Sequence, residues 1–247
     1  SRTLAFRLAA LAGMVGVMGF ALLIGISLAQ EKTNRETHAR IETENMARVM
    51  EAHAHATISR IDMVLLDVLG HVSPEAMGEA DKQEEGLRRL LREKLAGVPE
   101  ASVIHIANAK GDYIYSTRQP VPAINIADQA FFRAHLKPDS GLVISEPLIS
   151  RTLGTWVITL SRRIDFPDGR FAGVVNAILE LASFERFYST LDLGPHGAVL
   201  LRDAQMRLLA RHPPLEGNMG VPMPEHPVAR YLASGREHGT YDEISPA

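Results

Sequence analysis

The chain opens on its longest apolar run. From Leu8 to Ala29 no residue is charged over 22 positions. A helix of that length reaches roughly 33 Å, enough for the hydrocarbon core of a bilayer. Arg2 and Arg7 precede the run and Glu31 follows it. The positive-inside rule then places the start in the cytoplasm and everything beyond residue 30 outside it. Ser27-Leu28-Ala29 also resembles a signal-peptide cleavage site, but signal cores usually span about 7–15 residues and this run is longer. An uncleaved transmembrane anchor is the expectation, and either reading exports the rest. Ala9/Gly13 and Ala12/Gly16 are small-residue pairs four apart, a spacing that lets membrane helices approach closely and is also common without such contact.

From Gln30 to Gly70 the pattern predicts one long stalk helix, free of Pro and of internal Gly. Its first half is polar (Glu31, Lys32, Arg35, Glu36, Arg40, Glu42, Glu44) and reads as solvated or self-pairing. Further on, Met46, Val49, Ile58, Ile61, Leu65 and Val68 recur at helical spacing, the mark of a buried stripe. His53 and His55 stand two apart and so face different ways, which favours packing or solvation over a shared metal. Ser73-Pro74-Glu75 marks a helix start, and Glu84–Leu95 a second helix in which Arg88, Arg89 and Arg92 form a solvated basic face.

The period then changes. Residues 102–107 and 113–116 read as strands across an Asn-Ala-Lys-Gly-Asp turn. A short aromatic helix is expected over Gln129–Leu136 and a strand over Leu142–Ser145, ending at Pro147. Thr155–Ile164 and Phe171–Leu181 pair through Phe166-Pro167-Asp168-Gly169, a hairpin signal. Ser183 is placed as the cap of a helix reaching Leu191. Strands with helices segregated to their faces make an α+β domain. After the turn-rich Leu193–Gly197, strands at 198–202 and 207–211, a helix at 228–233 and a strand start at 239–244 repeat the same order and stop halfway. The chain is therefore expected to be a fragment of a longer protein.

Composition narrows the chemistry. The 247 residues carry a net charge of −3, so no basic nucleic-acid surface is indicated, and they include no cysteine, which removes thiol catalysis, disulfides and Cys-based zinc sites. No Gly-rich phosphate loop, Gly-x-Ser-x-Gly elbow or His-Glu-x-x-His pair occurs. An exported hydrolase is disfavoured on that ground. The pattern is that of a chain that detects something and does not transform it.

Four stretches carry a resemblance: residues 128–135 (DQAFFRAH), 144–147 (ISEP), 156–163 (WVITLSRR) and 168–175 (DGRFAGVV). With the anchor and stalk they resemble the double Cache (PDC-type, PAS-like) extracytoplasmic sensor region of bacterial transmembrane receptors, in particular the version found in front of diguanylate cyclases and some histidine kinases. The resemblance spans roughly residues 30–247. It implies a transmembrane anchor over 1–30, then stalk and membrane-distal sensor domain over 31–190. That domain is a PAS-like antiparallel five-stranded sheet. A partial membrane-proximal domain of the same type follows over 193–247. It also implies a homodimer at the inner membrane, a periplasmic small-molecule ligand, no cofactor, no nucleic acid, and an output domain outside this chain.

The candidate ligand residues follow. Phe131 and Phe132 match the aromatic pair that lines the pocket in amino-acid-binding relatives, and they suit helix packing equally. Glu180 falls where such relatives hold an aspartate for the ligand ammonium, and Ser150 near a second aspartate. Those departures, with Ile124 standing about where an arginine is expected, make free amino acids doubtful and a small organic anion the better fit. Arg133, His135 and Arg151 are polar groups near the expected mouth, and an arginine fork suits a carboxylate. Strand alternation puts Trp156, Ile158, Leu160 and Arg162 on one face and Val157, Thr159, Ser161 and Arg163 on the other. Sequence leaves open which face meets the pocket. Trp156 would wall the ligand in one case and serve the core in the other. A ligand-free dimerisation module, with its pocket filled by its own side chains, is the alternative.

Overall fold

The computed structural model describes residues 2–77, 84–215, 217–225, 227–235 and 239, and for residues 2–17, 21, 76, 84 and 227 only the backbone. The chain divides into two compact units, residues 1–51 with 237–247, and residues 52–236. Helix α1 (Arg2–Leu69) contributes to both.

In the first unit α1 is laced by pairs one turn apart. Arg35–Glu31 stand at 2.5 Å, Arg48–Glu44 at 2.8 Å and Lys32–Glu36 at 3.8 Å. Such exposed pairs add a few tenths of a kcal/mol each and keep a polar helix wound. Towards its start the same helix exposes Met18, Phe20, Leu22, Leu23, Ile26 and Leu28. Among the described residues no helix is long and apolar enough to cross a membrane. Most of the first half of the expected anchor, Leu8–Val17, lies outside the described side chains.

The second unit is built on a sheet. The order is β2 (Tyr113–Ser116), β1 (Ala101–Asn108), β6 (Phe171–Glu180), β5 (Trp156–Asp165), β3 (Leu142–Ile144), all antiparallel. A two-residue strand β4 (Leu148–Ile149) pairs with the same edge of β5 beyond β3, so Pro147 interrupts one edge position rather than ending it. The hairpin turn forms as expected: Phe166 N donates to Arg170 O at 2.8 Å and Gly169 takes φ +82. At Gly173 a side chain would stand 2.0 Å from Ala107 O, so only glycine lets β6 run this close to β1.

One face of this sheet meets α1. Thr57, Ile61, Leu65 and Val68 are wholly buried at spacings of four, four and three. Val49, placed in the stripe by its spacing, is exposed instead, because it precedes the buried stretch. Arg162 on β5 grips Asp62 through two hydrogen bonds of 2.5 and 2.8 Å. His53 stacks on Phe187 of α4 (Ala182–Tyr188) with ring centroids 3.7 Å apart, a packing role. Ser183 does not cap α4. Leu181 holds the cap position, and the Ser183 hydroxyl donates to Glu180 O at 2.6 Å. Helix α2 (Glu84–Ala96) contacts β1 and β2.

The other face carries a polar row. Register aligns Ser116, His105, Asn176 and Ser161 across β2, β1, β6 and β5, all buried. Helix α3 (Ala130–Ala134), shorter than predicted, lies over this face and ends at His135. The His135 ring bridges Ser161 Oγ (2.9 Å, through Nε2) and Ser140 Oγ (2.6 Å, through Nδ1). Ser161 in turn donates to Val143 O. That chain assigns a neutral imidazole donating through Nε2 and accepting at Nδ1. Burial pushes His135 down to about 4, and His105 likewise, with Arg118 adding to the effect at His105.

A second, two-stranded sheet follows, β7 (Val199–Arg202) with β8 (Leu208–His212), and then α5 (Pro227–Ala233). The strand start expected at 239–244 lies outside the described residues apart from Gly239. Arg207 forms 2.5 Å and 2.6 Å pairs with Glu146 and Asp203.

Two measurements check this packing. Leu65→Ala should lower the unfolding free energy by about 3 kcal/mol, whereas Met63→Ala, at a 60% exposed position, should change it by under about 0.5 kcal/mol in denaturant titrations. Both depressed histidines stay neutral in the fold while the unfolded chain protonates near 6.5, so their stability is present above pH 6.5 and lost as pH falls towards about 4. Titrations at pH 7 and pH 5 should differ by about 3 kcal/mol for the two together, and a flat profile would contradict the buried neutral pair.

Candidate functional site

A small cavity sits between the polar face of the sheet, α3 and the loop after β4. It is lined by Tyr113, Ile124, Ile126, Gln129, Phe131, Leu148, Ser150, Arg151, Thr152, Val157, Thr159 and Ile178. Its volume is about 30 Å³, room for little more than a water molecule. The sheet, α3 and the turn after β4 shape it. Strands β5 and β6 supply Val157, Thr159 and Ile178 from alternate positions, which fixes the face that sequence left open. Helix α3 supplies Phe131. The turn after β4 supplies Ser150, whose hydroxyl accepts from Thr152 N and Leu153 N at 3.2 Å each and so folds the turn back over the sheet.

At the rim Arg151 forks onto Asp128, with Nη1 to Oδ1 at 3.1 Å and Nη2 to Oδ2 at 2.5 Å. Nη1 also donates to Asn125 O at 3.2 Å. The pair is open to solvent, and the guanidinium holds the Asp128 carboxyl below its usual range. Burial pushes the Tyr113 phenol up to about 12, so it stays a neutral donor.

The expected site residues divide. Phe131, Ser150, Arg151 and Thr159 line the cavity. Ser161 and His135 bond to each other on the same face. Phe132 is buried behind them, edge-on to Phe171 at 5.6 Å. Arg133 points away: it is exposed, and its Nε donates to Ala127 O. Glu180 does not reach the cavity, because the hydroxyls of Ser102 and Thr155 claim its carboxylate at the sheet's end. Trp156 lies on the opposite face with Gly220 beside its ring, where a side chain at Gly220 would stand 2.9 Å from the ring and 3.7 Å from Pro147. Sequence reasoning missed Tyr113, Gln129 and the row partners His105 and Asn176. The signal for the last two was a lone polar residue inside an apolar strand run, Ile-His-Ile and Val-Asn-Ala.

A larger cavity of about 460 Å³ lies between residues 71–77, α2 and Tyr115. Among the described residues its polar lining is His71, Ser73, Arg89 and Glu93. Among the described residues no group of three or more His, Asp or Glu is placed to hold a metal ion.

No protein-family model and no curated protein matches the chain. Solved structures do. The extracellular domain of the histidine-kinase candidate rpHK1S-Z16 is 32% identical, with 90% of this chain and 86% of that one covered and a TM-score of 0.72. The sensory domain of the Campylobacter jejuni chemoreceptor Tlp3 with isoleucine bound is 13% identical, covers 70% of this chain and 73% of that one, and gives 0.55. The ligand-binding domain of the Pseudomonas fluorescens chemoreceptor CtaA in complex with L-isoleucine is 16% identical, covers 74% and 71%, and gives 0.56. These two share the fold. Sheet order, long leading helix and the match to the kinase extracellular domain agree, and the chain belongs to the double Cache (PDC-type) family of extracellular sensor regions of bacterial receptors.

Proposed function

We propose that this chain is the periplasmic input region of a membrane-anchored receptor and that the cavity beside Arg151 receives its ligand. The carrying observation is the Arg151–Asp128 fork at the rim of a cavity whose other walls are apolar or neutral. Such a rim offers a cation to a ligand carboxylate and an anion to an ammonium. The ligand is a small molecule with a charged end, a carboxylate in the first instance. Leu8–Ala29 is the anchor, and the all-round exposure of Met18, Phe20, Leu22, Leu23, Ile26 and Leu28 supports it, since a helix apolar on every side seeks an apolar solvent. Residues 193–247 begin a second domain, the receptor pairs as a homodimer, and the output domain is of the histidine kinase or diguanylate cyclase type. The 32% identity to a kinase candidate favours the former.

Ligand entry needs more room than about 30 Å³. Binding therefore selects a conformation with the rim or Tyr113 displaced, and the ligand shifts the equilibrium by its affinity difference between the two states. The small volume also favours a second reading, in which the pocket is plugged and the domain only pairs copies of the chain.

Thermal-shift screening of the full chain in detergent, against organic acids, amino acids and amines, separates the two. A compound at a hundred times its Kd stabilises by about 2.7 kcal/mol. Arg151→Ala should weaken the best carboxylate about tenfold or more, the worth of one charged hydrogen bond. No shift with any compound would favour the plugged module.

A further inference from the structure

Beneath the cavity lie polar atoms with nothing to bind. His105 on β1 and Asn176 on β6 are register partners, and both are fully buried. Neither ring nitrogen of His105 has a hydrogen-bond partner, and neither does Oδ1 or Nδ2 of Asn176. The Tyr113 phenol stands next to Asn176, yet no bond of good geometry reaches the amide. Their neighbours in the row are satisfied. Ser116 accepts from Arg118 N at 2.9 Å, and Ser161 bonds His135 and Val143 O. Unmet buried polar groups carry their desolvation cost with nothing in return, and native proteins hold few. Four such atoms on two adjacent side chains are not what a plain core position retains, where Leu or Phe would fill the space.

A single ring separates these atoms from the cavity. Tyr113 lines the cavity and stacks on His105 with centroids 4.2 Å apart and planes 20° from parallel. Val157 and Ile178, which line the cavity, pack with Val103, two residues before His105 on the same face of β1. If Tyr113 turns, the cavity and the unmet pair become one space.

We propose that His105 and Asn176 form the deep end of the ligand site, gated by Tyr113, and that they take an uncharged group carrying both a donor and an acceptor, of the carboxamide, urea or alcohol class. This rests on reading the cavity as the ligand site and adds the identity of the ligand's far end. A neutral imidazole offers one donor and one acceptor, and the amide offers both kinds again. Among the described residues, the charge felt by His105 is Arg118, whose guanidinium is already committed to Thr152 O at 2.6 Å. A carboxylate or ammonium placed here would be buried without a counter-charge, which is costly. The charged end belongs at the Arg151–Asp128 rim, and the neutral end at the floor.

Two apolar replacements of similar size, Asn176→Leu and His105→Phe, test this in the full chain. Without ligand, both variants should melt at or above the wild-type temperature, because unmet polar atoms are removed. L-Glutamine and L-asparagine serve as amide probes, with L-glutamate, L-aspartate and L-leucine as their charged and apolar counterparts. The wild type should prefer the amides, and Asn176→Leu should weaken them about tenfold or more and erase the preference. A melting point several degrees lower in both variants would show that ordered water or the fold itself satisfies these atoms, and would overturn the proposal. Equal affinities of wild type and Asn176→Leu for every binder would also overturn it while leaving the sensor reading intact. Silence of the wild type towards these probes and the wider library would remove both together.

Discussion

Strand β6 is buried on both faces, and the rest of the domain is arranged around that fact. From Ala172 to Leu179 no residue of it is open to solvent. Val175, Ala177 and Leu179 share the face that packs under α1, while Val174, Asn176 and Ile178 share the face under α3. A central strand with both sides covered forces its neighbours into two separate cores. The α1 side is apolar and closed by the Arg162–Asp62 fork. The α3 side holds a polar row and a cavity. One sheet thereby carries the long helix on one face and the small cavity on the other.

The same constraint governs how much was legible in the sequence. Strands β1, β5 and β6 announced themselves as β-branched and aromatic runs with a Pro-Asp-Gly turn between the last two. Their inward face did not, because alternation of polar and apolar residues fades when both faces are buried. Thr159 and Ser161 could be sorted from Leu160 and Arg162, but nothing said which set met the cavity. Strand β4 escaped because two residues after a proline leave no pattern. Trp156 drew attention as the sole tryptophan, yet its ring packs beside Gly220. That contact runs between segments far apart in sequence, and only the fold brings them together. Glu180 stood out as matching an aspartate that receives the ligand in relatives, but hydroxyls from Ser102 and Thr155 supply its partners.

Strand β5 touches the long helix, the cavity and the region of the second sheet. Its α1 face holds Asp62 through Arg162, and its cavity face carries Thr159 and Ser161. At its start, Trp156 meets the segment at Gly220, and the β3–β4 connection pairs through Glu146 with Arg207, the residue before β8. A change at the cavity rim, which includes Leu148, Ser150 and Arg151, is thus adjacent to the contacts that hold the second sheet and to those that hold the helix. Interfaces of this kind have discrete arrangements, so a small displacement can select between them.

Hydrogen–deuterium exchange of the full chain, with and without a saturating compound drawn from the thermal-shift screen, tests the central claim most directly. The account predicts new protection over residues 113–129 and 148–159, the segments that wall the cavity, with a smaller change along the Asp62 turn of α1. Protection confined to residues 71–77 and 84–93, which border the larger cavity, would contradict it, as would a bound compound that leaves the exchange of both walls unchanged.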